Sequence, residues 1–303
     1  MDRFADMQMF VKIVEGGSLS AAAEHLNLAR SAVSRRLTEL EARLGATLLN
    51  RTTRRVNLTD SGRAYYQSAM AILADLEEAE SALAQSGCDL NGGIRVALPL
   101  SFGLLHLAPL IESFMRRHPG LRFDLDFSDR HLDLMQEGFD LAIRIADLAD
   151  SSFIARRLVP IRHVLCASPA YLARAGTPRE AADLDKHVCL AYSNQANPGL
   201  WRFRGPDGSP GSVRVPPRLL ANSGEFLMRA GLAGEGLLLL PTFYLREALR
   251  EGALVRLLPD HVWPELAAYA LYPPTRHLSR RVRVFIDFLA EELAGEPEWD
   301  RLP

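Results

Sequence analysis

The chain has 303 residues, of which 48% are hydrophobic and 24% are charged, and its formal net charge is −2 at pH 7. This composition is typical of an ordinary globular protein with about two to three compact units, and it excludes a low-complexity or disordered chain. The small net charge neither favours nor excludes nucleic acid as a partner, because it hides local clusters of charge.

The sequence carries no membrane or secretion signal. No stretch approaches about 18 uninterrupted apolar residues, and no signal-peptide pattern is visible, so we expect a cytoplasmic protein with no membrane partner. The three cysteines are far apart, which predicts neither a disulfide framework nor a metal site. We also expect no cofactor.

The first 59 residues show the pattern of a helix-turn-helix followed by a hairpin. Apolar periodicity predicts helices over 4–15, from Ser18 onward, and over 30–44. In the third helix the apolar residues form one stripe, made of Val33, Leu37, Leu40 and Leu44. Alternation over 48–59, with a turn near Thr52-Thr53, predicts a two-stranded wing. Residues 27–55 carry seven arginines against two glutamates, which is a local charge of +5.

This combination favours binding of double-stranded DNA. The second helix of such a motif enters the major groove, where arginine can pair with guanine and serine can bond several base edges. The wing arginines are placed to meet phosphates or the minor groove. A lone arginine is usually part of a solvated surface, but the stripe, turn and wing together favour DNA. The predicted contacts are Arg30, Ser31, Ser34, Arg35, Arg51, Arg54 and Arg55.

A long helix is predicted from about Asp60 to Gln85, with Thr59 as its cap. Its apolar residues form a single seam on an otherwise polar helix, from Tyr65 to Leu83. Such a seam favours pairing with the same helix of a second chain. The alternative is packing of the seam on its own domain.

A polar break at 86–93 precedes alternating strands and helices, which predict a mostly parallel sheet covered by helices. About 210 residues with this many elements favour two lobes. The tail, 295–303, is expected to be loosely ordered.

The whole pattern resembles the LysR-type transcriptional regulators. The residues that carry the resemblance are Phe10, Ile13, Gly17–Ala23, Leu26, Ala32–Arg35, Leu40-Glu41, Leu44-Gly45, Leu48–Arg54, Leu58-Thr59, Gly138–Arg144, Asn222–Glu225, Ala233–Leu237 and Leu240-Pro241. The resemblance implies an α/β protein with an N-terminal winged helix-turn-helix, a long linker helix and a two-lobed, periplasmic-binding-protein-like effector domain.

The resemblance also implies a division of the chain. Residues 1–59 would bind DNA, 60–87 would form the dimerisation helix and 88–303 the effector domain. Lobe I would hold about 93–160 and 266–295, and lobe II about 162–263, with crossovers near 160–162 and 263–266.

The cleft between these lobes is the candidate effector site. Ser101 and Asn222 each open a predicted helix, and two helix N-termini facing one cleft would favour a small anion such as a carboxylate. The predicted contacts are Pro99, Ser101, Phe102, Ser128, Arg144 and Asn222. Tyr192, Trp201, Phe203 and Phe226 are further candidate walls. Core packing is the alternative for the aromatic residues, and a structural ion pair is the alternative for Arg144.

Two positions depart from the family pattern. Ala29 stands where the family usually has the Ser or Thr that caps the recognition helix. The missing cap costs about 1 kcal/mol unless Asn27 or Ser31 substitutes. Arg30 stands where Gln is common, and this change favours guanine over adenine.

The sequence thus predicts a transcriptional regulator, not an enzyme, whose operator binding responds to a small-molecule effector. We expect a dimer through the linker helix, a tetramer of two such dimers, and RNA polymerase as a further partner. Three alternatives are a solute-binding transport protein, an enzyme and an architectural DNA-binding protein. The first lacks an export signal, the second lacks a convergent nucleophile or metal ligands, and the third leaves the cleft unused.

Overall fold

The computed structural model describes residues 2–52, 55–83, 90–130, 137–146, 154–195, 197–272 and 278–301. The chain divides into two compact units, Met1–Gly92 with Arg276–Arg280, and Gly93–Thr275 with Arg281–Pro303. The turn of the predicted wing, most of the short helix predicted over 132–137 and the end of the predicted linker helix lie outside the described residues.

The first unit is a helix-turn-helix with a wing and a long helix. Its elements are α1 (Arg3–Glu15), α2 (Leu19–His25), α3 (Arg30–Leu44), the antiparallel strands β1 (Leu49–Thr52) and β2 (Arg55–Leu58), and α4 (Asp60–Leu83).

Local signals set the ends of these helices. The Ser18 hydroxyl accepts a hydrogen bond from the Ala21 N–H at the start of α2. The Thr59 hydroxyl accepts one from the Gly62 N–H and so caps α4, as predicted. Gly45 ends α3 in the left-handed conformation, with φ 66°. Ala29 provides no side-chain cap for α3, and the structure shows no substitute for it.

The core of the first unit contains most of the predicted stripe. Val33, Leu37 and Leu40 are buried against Met9, Phe10 and Ile13 of α1, whereas Leu44 is 42% exposed. The stripe therefore ends one turn earlier than the sequence predicts.

The apolar seam of α4 is divided between two environments. Tyr65 and Tyr66 pack on the core of the first unit, and Ala69 is buried. Met70 and Ile72, in contrast, are exposed. Packing on its own domain therefore accounts for the first part of the seam, whereas Ile72 of the seam and the neighbouring Met70 are left exposed.

The second unit contains two five-stranded sheets. The first sheet, which defines the first lobe, has the strand order β4-β3-β5-β14-β6. Its strands are β3 (Gly92–Leu98), β4 (Leu121–Phe127), β5 (Leu141–Ala146), β6 (Ile154–Ile161) and β14 (Leu266–Tyr272). Its helices are α5 (Leu100–Phe102), a π-helical turn (Gly103–Leu107), α6 (Ala108–Arg117) and the late helix α10 (Arg280–Glu292).

The second sheet defines the second lobe and has the order β11-β8-β12-β7-β13. Its strands are β7 (His163–Ala167), β8 (Cys189–Tyr192), β11 (Pro217–Ala221), β12 (Leu237–Pro241) and β13 (Val255–Arg256). The lobe also contains the hairpin of β9 (Leu200–Arg204) and β10 (Pro210–Arg214), and the helices α7 (Pro169–Ala175), α8 (Gly224–Leu232) and α9 (Thr242–Arg250). A short 3-10 helix covers Ala181–Lys186.

The prediction of mostly parallel sheets was wrong, because both sheets are mixed. In the first sheet β3 and β5 are parallel, but β14 runs antiparallel to both β5 and β6. In the second sheet β8 is parallel to β11 and β12, but β7 runs antiparallel to β12 and β13. The antiparallel pairs involve the strands next to the two passages between the lobes, which reverse the chain direction.

The prediction of a loosely ordered tail was also wrong for its described part. Glu298–Asp300 form a short 3-10 helix, and Trp299 within it is only 8% exposed. The sequence around Trp299 is short and polar, so no periodicity signals its burial.

Substitution of Gly62 tests how closely α4 packs against the backbone of Leu48. A Cβ atom at this position would lie 1.9 Å from the Leu48 carbonyl oxygen, a backbone atom that cannot move aside cheaply. We expect Gly62→Ala to destabilise the first unit by about 1–3 kcal/mol or more, because overpacking forces a backbone shift. Urea denaturation measures the change. Gly93→Ala is the control, since its Cβ meets nothing within 4 Å; equal stability of the two variants would contradict this seating of α4.

Candidate functional site

The exposed face of α3 brings together the four predicted base-reading residues. Arg30, Ser31 and Arg35 are exposed and Ser34 is half-buried, all within the first two turns of the helix. The described partner of Arg35 is Glu39, at 3.8 Å, and the Arg35 side chain is 76% exposed. Ala29 gives no side-chain cap, and the Ala32 and Val33 N–H groups donate to its carbonyl, which leaves the Arg30 and Ser31 N–H groups to face an acceptor such as a phosphate.

Two of the seven arginines in this region are held by a buried carboxylate. Arg36 donates to Asp6 Oδ1 through Nη2 at 2.8 Å and Nε at 3.2 Å, and Arg43 Nη2 donates to Asp6 Oδ2 at 3.1 Å. Asp6 is only 4% exposed. These contacts join α1 to two points of α3 that lie about two turns apart, so the buried acid fixes the orientation of the recognition helix. The five arginines that remain are the five assigned to DNA.

The wing is tied to the recognition helix at its base. The Leu48 and Leu49 N–H groups donate to Glu41 Oε1 at 2.8 and 3.2 Å. Arg51 lies on β1 opposite Val56, and Arg55 lies on β2 opposite Thr52. The structure describes their backbones but not their side chains, and Arg54 lies outside the described residues.

A cavity of about 400 Å³ lies between the two lobes of the second unit. Four of the six predicted effector residues line it, namely Pro99, Ser101, Phe102 and Arg144, and so does Tyr192. Ser128 does not line the cavity, but its carbonyl oxygen accepts a hydrogen bond from Arg144 Nη1 at 3.0 Å. Ser128 therefore lies behind Arg144 and positions it.

The remaining candidates lie elsewhere. Asn222 is not among the lining residues, and Phe226 is 51% exposed. Trp201 is buried in the core of the second lobe, with Phe203 packed against that core. The ordinary core alternative therefore accounts for Trp201 and Phe203.

The expected electrostatics of the cleft need correction. The Leu100 N–H at the start of α5 donates to Asp129 Oδ1 at 3.0 Å, so a carboxylate of the protein already occupies this helix end. The N-terminus of α8 is capped by Ser223, whose hydroxyl accepts from the Phe226 N–H. The start of α5 thus already has a carboxylate partner, and the start of α8 is not part of the cavity lining.

Arg144 is a half-buried cation of the cavity lining. Its Nη2 is buried and has no hydrogen-bond partner among the described residues. Burial lowers the pKa of Arg144, and the nearby carboxylates of Asp129 and Asp126 oppose this shift. A buried guanidinium with one unused donor face is suited to bind an anion.

Three more polar groups around the cavity are neutral at pH 7. Burial raises the pKa of Tyr244 to about 12, and the Tyr244 hydroxyl is hydrogen-bonded to Ser101. Burial also raises the pKa of Tyr192. His163 has its pKa lowered to about 4 by burial, and its Nδ1 lies 3.0 Å from the Pro264 carbonyl oxygen. These groups offer the cavity neutral hydrogen-bonding atoms.

Sequence reasoning missed several lining residues, namely Asp129, Arg130, His163, Asn194, Gln195 and Tyr244. Most of them follow directly after a strand: Asp129 and Arg130 follow β4, and Asn194 and Gln195 follow β8. Strand ends that meet at one edge are a usable signal for such positions.

The two described cysteines are not reactive groups. Cys166 and Cys189 are buried, and burial raises the pKa of each thiol to about 12. Within the described ranges, no three His, Cys, Asp or Glu side chains are arranged to hold a metal ion. In the same part of the chain, no helix has the length and apolar character needed to cross a membrane.

Comparison with known proteins covers nearly the whole chain. Residues 4–63 match the family of bacterial regulatory helix-turn-helix proteins of lysR type, and residues 89–294 match the LysR substrate binding domain. The transcriptional regulator CrgA of Neisseria meningitidis serogroup C is 37% identical over 291 residues, 96% of this chain and 97% of CrgA. The transcriptional activator TtdR of Escherichia coli is 35% identical over 297 residues, 97% of this chain and 95% of TtdR.

Solved structures agree with these relatives. The structure of CrgA from Neisseria meningitidis aligns with a TM-score of 0.61 at 35% identity, covering 97% of this chain and 100% of that one. A full-length regulator, LysG of Corynebacterium glutamicum with bound arginine, aligns with a TM-score of 0.63. At 19% identity, LysG shows the fold alone.

The Asp6 cluster can be tested directly. We expect Asp6→Asn to lower the free energy of unfolding by about 1–3 kcal/mol, because it leaves two partly buried guanidinium groups without their anion. Urea denaturation of the full chain measures the loss. Glu39→Gln is the matched control, since it breaks only the exposed pair with Arg35 and should cost less than about 0.5 kcal/mol. A loss at Asp6 no larger than at Glu39 would contradict the role of Asp6.

Proposed function

The chain belongs to the LysR family of helix-turn-helix transcriptional regulators, and we propose that it reads a double-stranded operator through α3 and the wing. The residues proposed to contact DNA are Arg30, Ser31, Ser34, Arg35, Arg51, Arg54 and Arg55. The observation that supports this most is the allocation of arginines: Asp6 binds Arg36 and Arg43, while Arg30 and Arg35 stay on the exposed face. Arg30 favours guanine at the base pair that it reads.

We also propose how the parts of the chain divide the work. Residues 1–59 bind DNA, 60–87 pair two chains and 88–303 bind the effector, with lobe I at about 93–160 and 266–295 and lobe II at about 162–263. The exposed Met70 and Ile72 support pairing through the later turns of α4. A chain that acts on DNA with these parts works in the cytoplasm.

A tetramer needs a second pairing surface, and the second unit offers exposed apolar side chains for it. Leu104 and Leu105 are about half exposed in the first lobe, and Leu220 and Phe226 in the second. Exposed apolar residues of this size on both lobes support self-association of the effector domain. RNA polymerase is proposed as a further partner of the DNA-bound assembly.

The proposed effector is a small anion such as a carboxylate. Arg144 Nη2 is the donor left unused by the protein, and Ser128 holds the guanidinium through its carbonyl. Ser101 lies at the same cavity, and Pro99 and Phe102 provide apolar wall. Asn222 stays a prediction that the cavity lining does not support. A volume of about 400 Å³ is in the range of small-molecule sites.

Effector binding would regulate DNA binding if it favours one arrangement of the lobes over another. Both lobes line the cavity, so a bound anion contacts both at once and favours their closed spacing. The change in lobe spacing would then shift the balance between arrangements of the DNA-binding heads.

DNA binding is tested by footprinting of the full-length protein on the intergenic DNA upstream of its own gene, at two salt concentrations. We expect protection over several helical turns that weakens steeply as salt rises. Arg35→Ala should weaken binding by about 1–3 kcal/mol, or roughly 5- to 150-fold. The control is Arg116→Ala, which removes an exposed arginine of α6 and should bind as the wild type does. Equal binding by both variants would contradict the assignment of Arg35.

The effector site is tested by thermal shift of the full-length protein with a panel of small carboxylates and their amide analogues. We expect at least one carboxylate to stabilise the protein, by about 2.7 kcal/mol at a concentration of 100 times its Kd. The amide analogue should stabilise it much less, because it lacks the charge that Arg144 binds. Arg144→Met should abolish the shift, whereas Arg122→Gln, an exposed arginine on β4, should preserve it. Equal stabilisation by acid and amide would contradict an anion site.

A further inference from the structure

The C-terminal segment passes from one lobe to the other. Helix α10 belongs to the first lobe, where Phe285 packs on Phe114 with the ring centroids 5.0 Å apart. After α10 the chain continues to Glu296–Arg301, which contacts α9 of the second lobe. We call residues 296–301 the C-terminal strap.

Polar contacts hold the strap on the second lobe. The Thr242 hydroxyl donates to Asp300 Oδ1 at 2.5 Å, and Arg246 Nη2 donates to Glu298 Oε1 at 2.8 Å. Arg162, in the first passage between the lobes, lies 3.5 Å from carboxylate oxygens of both Glu296 and Asp300. The Asp300 side chain is fully buried. These contacts are specific, because each joins a charged or hydroxyl group to a carboxylate of the strap.

Trp299 places an aromatic ring where the two lobes meet. Its ring centroid is 4.2 Å from that of His106 and 5.7 Å from that of Phe102, both in the first lobe. The rings of Phe102 and His106 in turn contact Phe243 of the second lobe, at 5.3 and 5.7 Å. Phe102 and Phe243 also line the cavity. Trp299 therefore packs behind the cavity wall, against Phe102.

Some buried polar atoms where the strap packs on the lobes have no hydrogen-bond partner among the described residues. Trp299 Nε1 and His106 Nε2 are buried and have no hydrogen-bond partner among the described protein atoms, whereas Asp300 Oδ2 has its ion pair with Arg162 at 3.5 Å. Burial lowers the pKa of His106 to about 4 and raises the pKa of Asp300. Unsatisfied buried groups oppose docking, whereas the aromatic and carboxylate contacts favour it.

We propose that the C-terminal strap is a latch that holds the two lobes at a fixed spacing and positions Phe102 and Phe243 on the cavity wall. A change in lobe spacing has to break the strap's contacts with α9 or with His106. The latch itself needs neither ligand nor DNA, and only its influence on effector binding rests on the proposed function.

Hydrogen exchange followed by mass spectrometry on the full-length protein tests the latch without ligand or DNA. Thr242→Val removes the hydroxyl that donates to Asp300 and that also lies 3.3 Å from the Arg162 carbonyl oxygen. We expect exchange to rise about five-fold or more in two segments, 295–301 and 100–107, because release of Trp299 also frees Phe102 and His106. Arg246→Gln, which removes the ion pair with Glu298 of the strap, should raise exchange in the same two segments.

Two controls separate latch release from loss of structure. Thr242→Ser keeps the hydroxyl and should exchange as the wild type does. Glu247→Gln breaks the exposed pair with Arg250 on the same helix and should leave both segments unchanged. The proposal is overturned if exchange rises only in 295–301, because the strap is then a passive cover. It is equally overturned if Thr242→Ser behaves like Thr242→Val.

Discussion

Two passages of the chain between the sheets determine where the second unit can bind a ligand. The first passage is Arg162, between β6 and β7, and the second runs from Trp263 to Leu266, where β14 begins. His163 Nδ1 meets the Pro264 carbonyl, so a hydrogen bond joins the two passages at the base of the cavity. Residues of both lobes line the cavity beside these passages, so a small ligand bound there can contact both lobes.

Charge is allocated by the same physical logic in both units. In the first, the buried Asp6 carboxylate takes up Arg36 and Arg43 and leaves Arg30 and Arg35 outside. In the second, the Asp129 carboxylate takes the free N–H at the start of α5, while Arg144 keeps a buried donor unused. In each unit a carboxylate of the protein occupies groups that could otherwise bind an anion, and the candidates are the groups that remain. A count of charges along the sequence cannot make this distinction.

The elements that the sequence predicts well are those set by neighbours in the chain. The Ser18 and Thr59 caps, the Gly45 end of α3 and the Val33-Leu37-Leu40 stripe all depend on residues within about one or two turns. The resemblance to a known family places Pro99, Ser101, Phe102 and Arg144 at the cavity, and it does so because they follow or lie on recognisable strands.

The features that the sequence does not predict depend on contacts between residues that lie far apart in the chain. Asp6 meets arginines that lie 30 and 37 residues away, and Asp129 meets Leu100 at a separation of 29 residues. The burial of Trp299 requires His106 and Phe102, which are nearly 200 positions earlier. No local pattern contains these pairings, so the capped start of α5 and the docked tail were both mispredicted. The strand directions in the two sheets were mispredicted for a related reason. Strand direction depends on the passages between the lobes, and the alternation of apolar residues within a strand does not determine it.

The divided seam of α4 explains how pairing of two chains would fix the distance between two recognition helices. Tyr65 packs on Phe10 with the ring centroids 5.4 Å apart, and Phe10 belongs to the same core as Val33 and Leu37 of α3. The start of α4 is therefore rigidly joined to the recognition helix of its own chain. Its later turns expose Met70 and Ile72, where the proposed partner helix would pack. In such a dimer the first turns of α4 would hold the recognition helix of the same chain. The later turns would pair with the partner chain and so set the position of that recognition helix. The separation of the two half-sites, about one turn of DNA or a multiple of it, would then be determined by where along α4 the pairing begins.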